Sequence, residues 1–198
     1  MNEMANTPDA ALAEPPEVQE RNLWLGVRVM AGVTIMFFLA FVFAYFYLRS
    51  LNNNGRWEPP RVDPPNGYGA AIVILFALSA GFLAYADRAA RAARAWLPVA
   101  GIALALGIAG CVVQGVEWAN LGFGPLDGGY ASVFLGWTLL FTVFALISIC
   151  WIEIVFATGI RHRDAAHAYV PHGLDAASFY WTLLVAIGVI AWAILYVL

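Results

Sequence analysis

The sequence predicts an all-α fold: a polytopic membrane protein built as a bundle of five transmembrane helices. Three observations carry this. Of 198 residues, 62% are hydrophobic and 12% charged, whereas an average soluble domain has about 45–50% apolar and about 25% charged residues. Aromatic residues make up 15% and include eight Trp and eight Tyr, side chains that gather at membrane–water boundaries. The apolar residues also fall into five separate runs of about 20 residues, the length that crosses a roughly 30 Å hydrocarbon core.

The predicted organisation is a flexible cytoplasmic tail over residues 1–22 and a transmembrane domain over 23–198. The tail sets Glu3, Asp9, Glu14, Glu17 and Glu20 against Arg21, a composition that favours disorder until bound. It has no basic start, apolar stretch and small-residue cleavage site, so it does not read as a secretory signal. The spans are predicted at about 23–48, 68–86, 96–119, 130–157 and 179–198. Each should be a helix, because an isolated apolar strand would leave backbone groups unpaired in lipid. Asn52-Asn53-Asn54-Gly55, and Glu58-Pro59-Pro60 through Asp63-Pro64-Pro65-Asn66-Gly67, separate the first two spans. Gly122-Phe123-Gly124-Pro125 and Asp127-Gly128-Gly129 separate spans three and four.

Arginines give the expected orientation. One side would carry Arg21, Arg28, Arg88, Arg91, Arg94, Arg161 and Arg163, the other Arg49, Arg56 and Arg61. The positive-inside rule then puts the N-terminus in the cytoplasm and the C-terminus outside, in a bacterial plasma membrane. Arg88, Arg91 and Arg94 are candidates for holding phospholipid headgroups, although such a cluster also simply sets topology. Small residues at Ala103, Gly107 and Cys111 in span three, and at Ala77 and Gly81 in span two, mark faces where helix backbones approach closely.

Ionisable groups inside spans are few, and each is a functional hypothesis. Gln114 and Glu117 stand three apart and share a helix face, with Trp118 beside them. Glu117 reads either as an interfacial carboxylate beside an aromatic anchor, as half of a buried hydrogen-bonded pair pinning span three to its neighbours, or as a proton relay. Glu153 is expected to reach the interface or pair with an arginine, with proton uptake as the sharper alternative. Thr34, Thr138, Thr142, Ser148 and Thr182 are expected to return their hydroxyls to their own helix backbone. Cys111 and Cys150 make neither a metal spacing nor a disulfide framework and read as buried packing residues.

Several chemistries are disfavoured. With no basic stripe, nucleic acid is not an expected partner. His162, His167 and His172 all fall between spans four and five, and no span contains a histidine. A redox centre in this chain is therefore not expected, since histidine is the usual ligand of haem and copper within a membrane bundle. No nucleophile–base pair or metal constellation marks an enzyme acting alone. A small transporter or channel is an alternative of another class, but it needs polar groups lining a mid-membrane path.

Motifs in order then add a resemblance. Span one carries Met36-Phe37-Phe38 followed by Phe41 to Tyr47, and the next loop reads Gly55-Arg56-Trp57-Glu58-Pro59-Pro60. Span three ends in Gln114-Gly115-Val116-Glu117-Trp118, span four opens with Tyr130-Ala131-Ser132-Val133-Phe134 and reaches Thr138, and Gly173-Leu174-Asp175-Ala176-Ala177 leads to Tyr180-Trp181. From about residue 24 to its end the chain resembles subunit III of the haem–copper oxidases, in the short five-helix form of bacterial cytochrome c and quinol oxidases. It departs from the family where ionisable groups are usual. Val33, Thr34 and Ile35 stand where the family has a Ser-Glu pair, Phe141 and Phe144 replace a His-x-x-His, and Trp181-Thr182-Leu183-Leu184-Val185 replaces Trp-His-Phe-Val-Asp.

The resemblance implies a divergent accessory subunit with no catalytic, cofactor or metal site of its own. It would pack against catalytic subunit I, and subunit II and others, which hold the haems and copper, and would support stability and proton uptake during oxygen reduction to water. Gln114, Glu117, Trp118, Gly107, Tyr180 and Trp181 are the candidates for structural or partner contacts. The accessory protein of nitric oxide reductase, from the same family, is the alternative.

Overall fold

The computed structural model describes residues 15–52, 55–59, 62–161 and 173–198. Among these are five long helices and no strand. They are α1 (Pro16–Ser50), α2 (Asn66–Arg91), α3 (Leu97–Ala119), α4 (Gly129–Arg161) and α5 (Leu174–Trp192), and a π-helical turn at Ala193–Val197 continues α5. All five are long and apolar enough to cross a membrane.

Each expected span coincides with one helix, and all of them but α3 overrun the apolar runs. α1 already begins at Pro16, so residues 16–22, expected as part of the tail, are helical; residues 1–14 lie outside the described residues. Proline suits the first helical position because its missing N–H has no partner there anyway. α2 continues to Arg91 and α4 to Arg161, each with arginine in its last turn, where a cation meets the negative end of the helix dipole. α5 starts at Leu174, after Gly173 turns the chain at φ +92, a conformation that glycine adopts without strain.

α2 and α3 form the closest pair; α5 lies against α2 and also touches α4 and α1, while α3 rests on α4. Gly107 explains the tight α2–α3 approach. A Cβ there would meet Ser79 Oγ and Trp181 Cζ2, both at 3.3 Å. Ser79 itself donates to the carbonyl of Ala103 at 2.7 Å. The other small-residue pair behaves differently. Ala77 and Gly81 are exposed and line an outward groove with Leu78, Phe82 and Tyr85. The buried stripe of α2 runs through Ile72, Phe76, Ser79, Leu83 and Ala86, and Ala77 and Gly81 stand on nearly the opposite side of the helix, roughly 140–180° away.

α1 packs mainly on α4 and α5 and presents Met36, Phe43 and Leu25 outward, 71%, 69% and 63% exposed. Apolar side chains turned outward over a whole helix are what a lipid or protein environment requires. Cys111 is half-buried and Cys150 is exposed; the expectation of two buried cysteines therefore fails at Cys150, which sits on the outward face of α4.

Contacts define two ends of the bundle. At the proximal end, the start of α5 meets the start of α1 and the end of α2, and Trp96 before α3 packs against Gly159 near the end of α4. At the distal end lie the α1–α2 and α3–α4 loops and the π-turn.

Candidate functional site

The distal end is built around one carboxylate. Glu117 is fully buried and Gln114 is 4% exposed. The Gln114 Nε2 amide donates to Glu117 Oε2 at 2.6 Å, and the Tyr196 hydroxyl donates to Glu117 Oε1 at 2.6 Å. Both carboxyl oxygens are thus engaged, one within α3 and one across to the end of α5. Of the readings of Glu117, this geometry is the buried hydrogen-bonded pair, with a third member.

Tyr196 reaches Glu117 through local backbone features. The π-turn, in which Leu198 N–H donates to the Ala193 carbonyl at 3.3 Å, winds the chain more widely than an α-helix and re-aims the side chains beyond it. Gly69 at the start of α2 makes room, because a Cβ there would lie 2.6 Å from the Tyr196 ring. The Tyr130 hydroxyl donates to the Leu195 carbonyl at 2.5 Å, fixing the same turn to α4.

The α1–α2 loop covers this end. Trp57 is 6% exposed and its ring stands edge-on to Tyr45 and Tyr130, with centroids 5.1 and 5.9 Å away. Gly129 and Tyr130 N–H donate to the carbonyls of Arg56 and Trp57 at 3.2 and 2.9 Å, and Trp57 N–H donates to Asn52 Oδ1 at 3.1 Å. The loop approaches so closely at Gly128 that a Cβ there would lie 2.7 Å from Pro59 Cδ.

The other candidates are also engaged inside the chain. The Trp118 indole donates to Thr138 Oγ1 at 3.1 Å. Tyr180 is buried and shares a 2.9 Å hydrogen bond with Thr34, and the Trp181 indole donates to Ser79 Oγ at 3.1 Å. Thr34, Thr138, Thr142, Ser148 and Thr182 donate to the carbonyl four residues back at 2.8 or 2.9 Å. Thr34 and Thr138 thereby serve both their own helix and a neighbour. The positions where the resemblance implied a His-x-x-His hold a ring cluster, with Phe38 packed on Phe141 and Phe144 at 6.1 and 5.7 Å. Tyr196 and Ser79 were not singled out from sequence.

At the proximal end, Arg91 pairs with Asp87 at 3.1 Å and approaches Asp175 at 3.7 Å. The Trp24 indole donates to Asp175 at 3.2 Å, and Arg28 lies 5.7 Å over the Trp24 ring. Arg88 and Arg94 are exposed, and Glu153 is exposed on the outer face of α4. His162, His167, His172, Arg163 and Arg61 lie outside the described residues.

Among the described residues there is no histidine, the cysteines stand on different helices, and Glu117 is committed to Gln114 and Tyr196. Among the described residues no three His, Cys, Asp or Glu side chains come together.

Fold and site together define a polytopic membrane protein whose buried polar groups tie its own helices together. Two curated proteins are similar to it. The chain is 28% identical over 176 residues to cytochrome c oxidase subunit 3 of Pylaiella littoralis, covering 82% of this chain and 61% of the relative. It is 21% identical over 169 residues to cytochrome c oxidase subunit 3 of Mycosarcoma maydis, with the same coverage of 82% and 61%. The chain thus spans less than two thirds of the length of these relatives. No family model matches it. By this likeness the chain resembles a divergent subunit III of the haem–copper oxidases.

Proposed function

We propose that this chain is an accessory, non-redox subunit of a respiratory haem–copper terminal oxidase, packing against the catalytic subunit in a bacterial plasma membrane. The observation that carries the reading is that two proteins named cytochrome c oxidase subunit 3 each align with 82% of the chain. The site agrees with a supporting role. Its carboxylate is held by its own neighbours, and the chain offers an outward apolar face on α1. The haems and copper would belong to subunits I and II, and the contribution here is stabilisation of subunit I and of its proton uptake.

The N-terminus is cytoplasmic in this reading, because the proximal end carries Arg88, Arg91, Arg94 and Arg161. With Arg91 engaged by Asp87 and Asp175, the exposed Arg88 and Arg94 are the stronger candidates for phospholipid headgroups.

The test is to tag the chain, extract it in mild detergent, and record reduced-minus-oxidised spectra with protein identification. Co-purifying haem, a catalytic subunit and oxygen consumption are expected. A chain that comes out alone and haem-free from gently treated membranes would overturn the reading.

A further inference from the structure

Two buried indoles are left over by the hydrogen-bond network. Among the described residues, Trp137 Nε1 and Trp192 Nε1 are buried and have no partner. Trp137, in α4, is 1% exposed; Trp192 is the last residue of α5. Both line one partly open cavity of about 40 Å³ among α2, α3, α4 and α5, whose lining also includes the exposed Val189. Gln114 and Tyr196, the two residues that hold Glu117, line the same cavity. Its far wall is apolar, formed by Phe76 and Phe141, whose rings stand 5.7 Å apart.

An indole N–H is a donor only, and a buried donor is kept where something accepts from it. An acyl chain supplies no acceptor, and a lipid ester is far larger than this space. Water fits on both counts. A cavity needs about 10–15 Å³ to hold a water, so the space admits at least one, and cavities that stay dry are apolar throughout. We propose that this cavity is a hydration site, in which one or more ordered waters accept from Trp137 and Trp192 and meet Gln114 and Tyr196 from behind. The Glu117 carboxyl would then touch water through its two partners while having no exposure to bulk solvent. This inference concerns the chain's own interior and does not rest on the oxidase reading.

The test uses the full chain in lipid bilayers, labelled with ¹⁵N-Trp, and measures water-to-indole magnetisation transfer by solid-state NMR. The molecule supplies its own references. Trp181 is buried and bonded to Ser79, a dry indole; Trp24 is bonded to Asp175 at the proximal surface, a wet one. Trp137→Phe and Trp192→Phe assign the two signals, since each removes the donor and keeps a ring. Gly136–Trp137 is the only Gly–Trp step in the sequence, so carbonyl-labelled glycine assigns Trp137 even where a variant fails to fold.

Transfer to Trp137 and Trp192 is expected within about twofold of Trp24 and at least about fivefold above Trp181, because ordered waters would bond to them directly. Transfer to both as weak as to Trp181 would overturn the proposal, whether the space has closed or a lipid chain fills it.

Discussion

The two ends of the bundle hold carboxylates in opposite ways. At the distal end Glu117 is fully buried and receives one hydrogen bond from Gln114 and one from Tyr196. At the proximal end Asp87 and Asp175 share Arg91, whose side chain is 60% exposed. The proximal cluster has formal opposite charges and the distal one has none, yet the distal one should matter more to stability. Water competes with every proximal contact and screens its charges. Bulk solvent does not reach Glu117, and a group left without its partner there can recover one only from water held inside the bundle.

The largest effect should therefore come from Glu117→Leu. It removes the acceptor of both the Tyr196 hydroxyl and the Gln114 amide, each costing about 1–3 kcal/mol, for a loss of about 2–6 kcal/mol in a reversible unfolding titration in mixed micelles. Glu117→Gln keeps an oxygen for Tyr196 and should lose about 1 kcal/mol or less, near the range of single hydrogen bonds within membranes. Equal losses in the two variants would mean that the negative charge matters, not the pairing.

A smaller effect tests how the site was assembled. Gly69→Ala puts a methyl group into the Tyr196 ring, at an ideal Cβ distance of 2.6 Å, and overpacking of this kind costs about 1–3 kcal/mol. If the damage acts by displacing Tyr196 from Glu117, it should be non-additive with Tyr196→Phe in a double-mutant cycle. Additive losses would show that Gly69 serves helix approach alone.

This pairing also marks what could be read in the sequence. The Gln114–Glu117 pair was legible because spacing of three residues forces both side chains onto one helix face. Tyr196 was not, because its position depends on a π-turn and on the approach of α5 to α2. The five spans were legible because apolar length is a property of the chain alone. Their ends were not. Backbone hydrogen bonding carries α1 back to Pro16 and α2 on to Arg91, indifferent to where the apolar run stops. Ala77–Gly81 and Ala103–Gly107 looked equivalent, yet only the second faces inward. Which face of α2 is buried was decided by Phe76, Ser79 and Leu83, residues that are bulkier or pair with α3 and α5. The threonines were legible in their bonds to their own helices, and not in the second partners of Thr34 and Thr138.

The smallest predicted effect closes the comparison from the proximal side. Arg91→Ala removes the contacts to Asp87 and Asp175, and exposed pairs of this kind contribute about 0–1 kcal/mol. The loss should be below about 1 kcal/mol at low salt and should vanish near 1 M salt, where the Debye length falls to about 3 Å. The Glu117→Leu loss should be unchanged by the same salt, because its cause is burial. Asp175→Asn keeps an acceptor for the Trp24 indole while removing the charge, so it separates the two roles of Asp175. A salt-insensitive loss in Arg91→Ala, matched by none in Asp175→Asn, would mean that the arginine's stem packing, and not its charge, joins α2 to the start of α5.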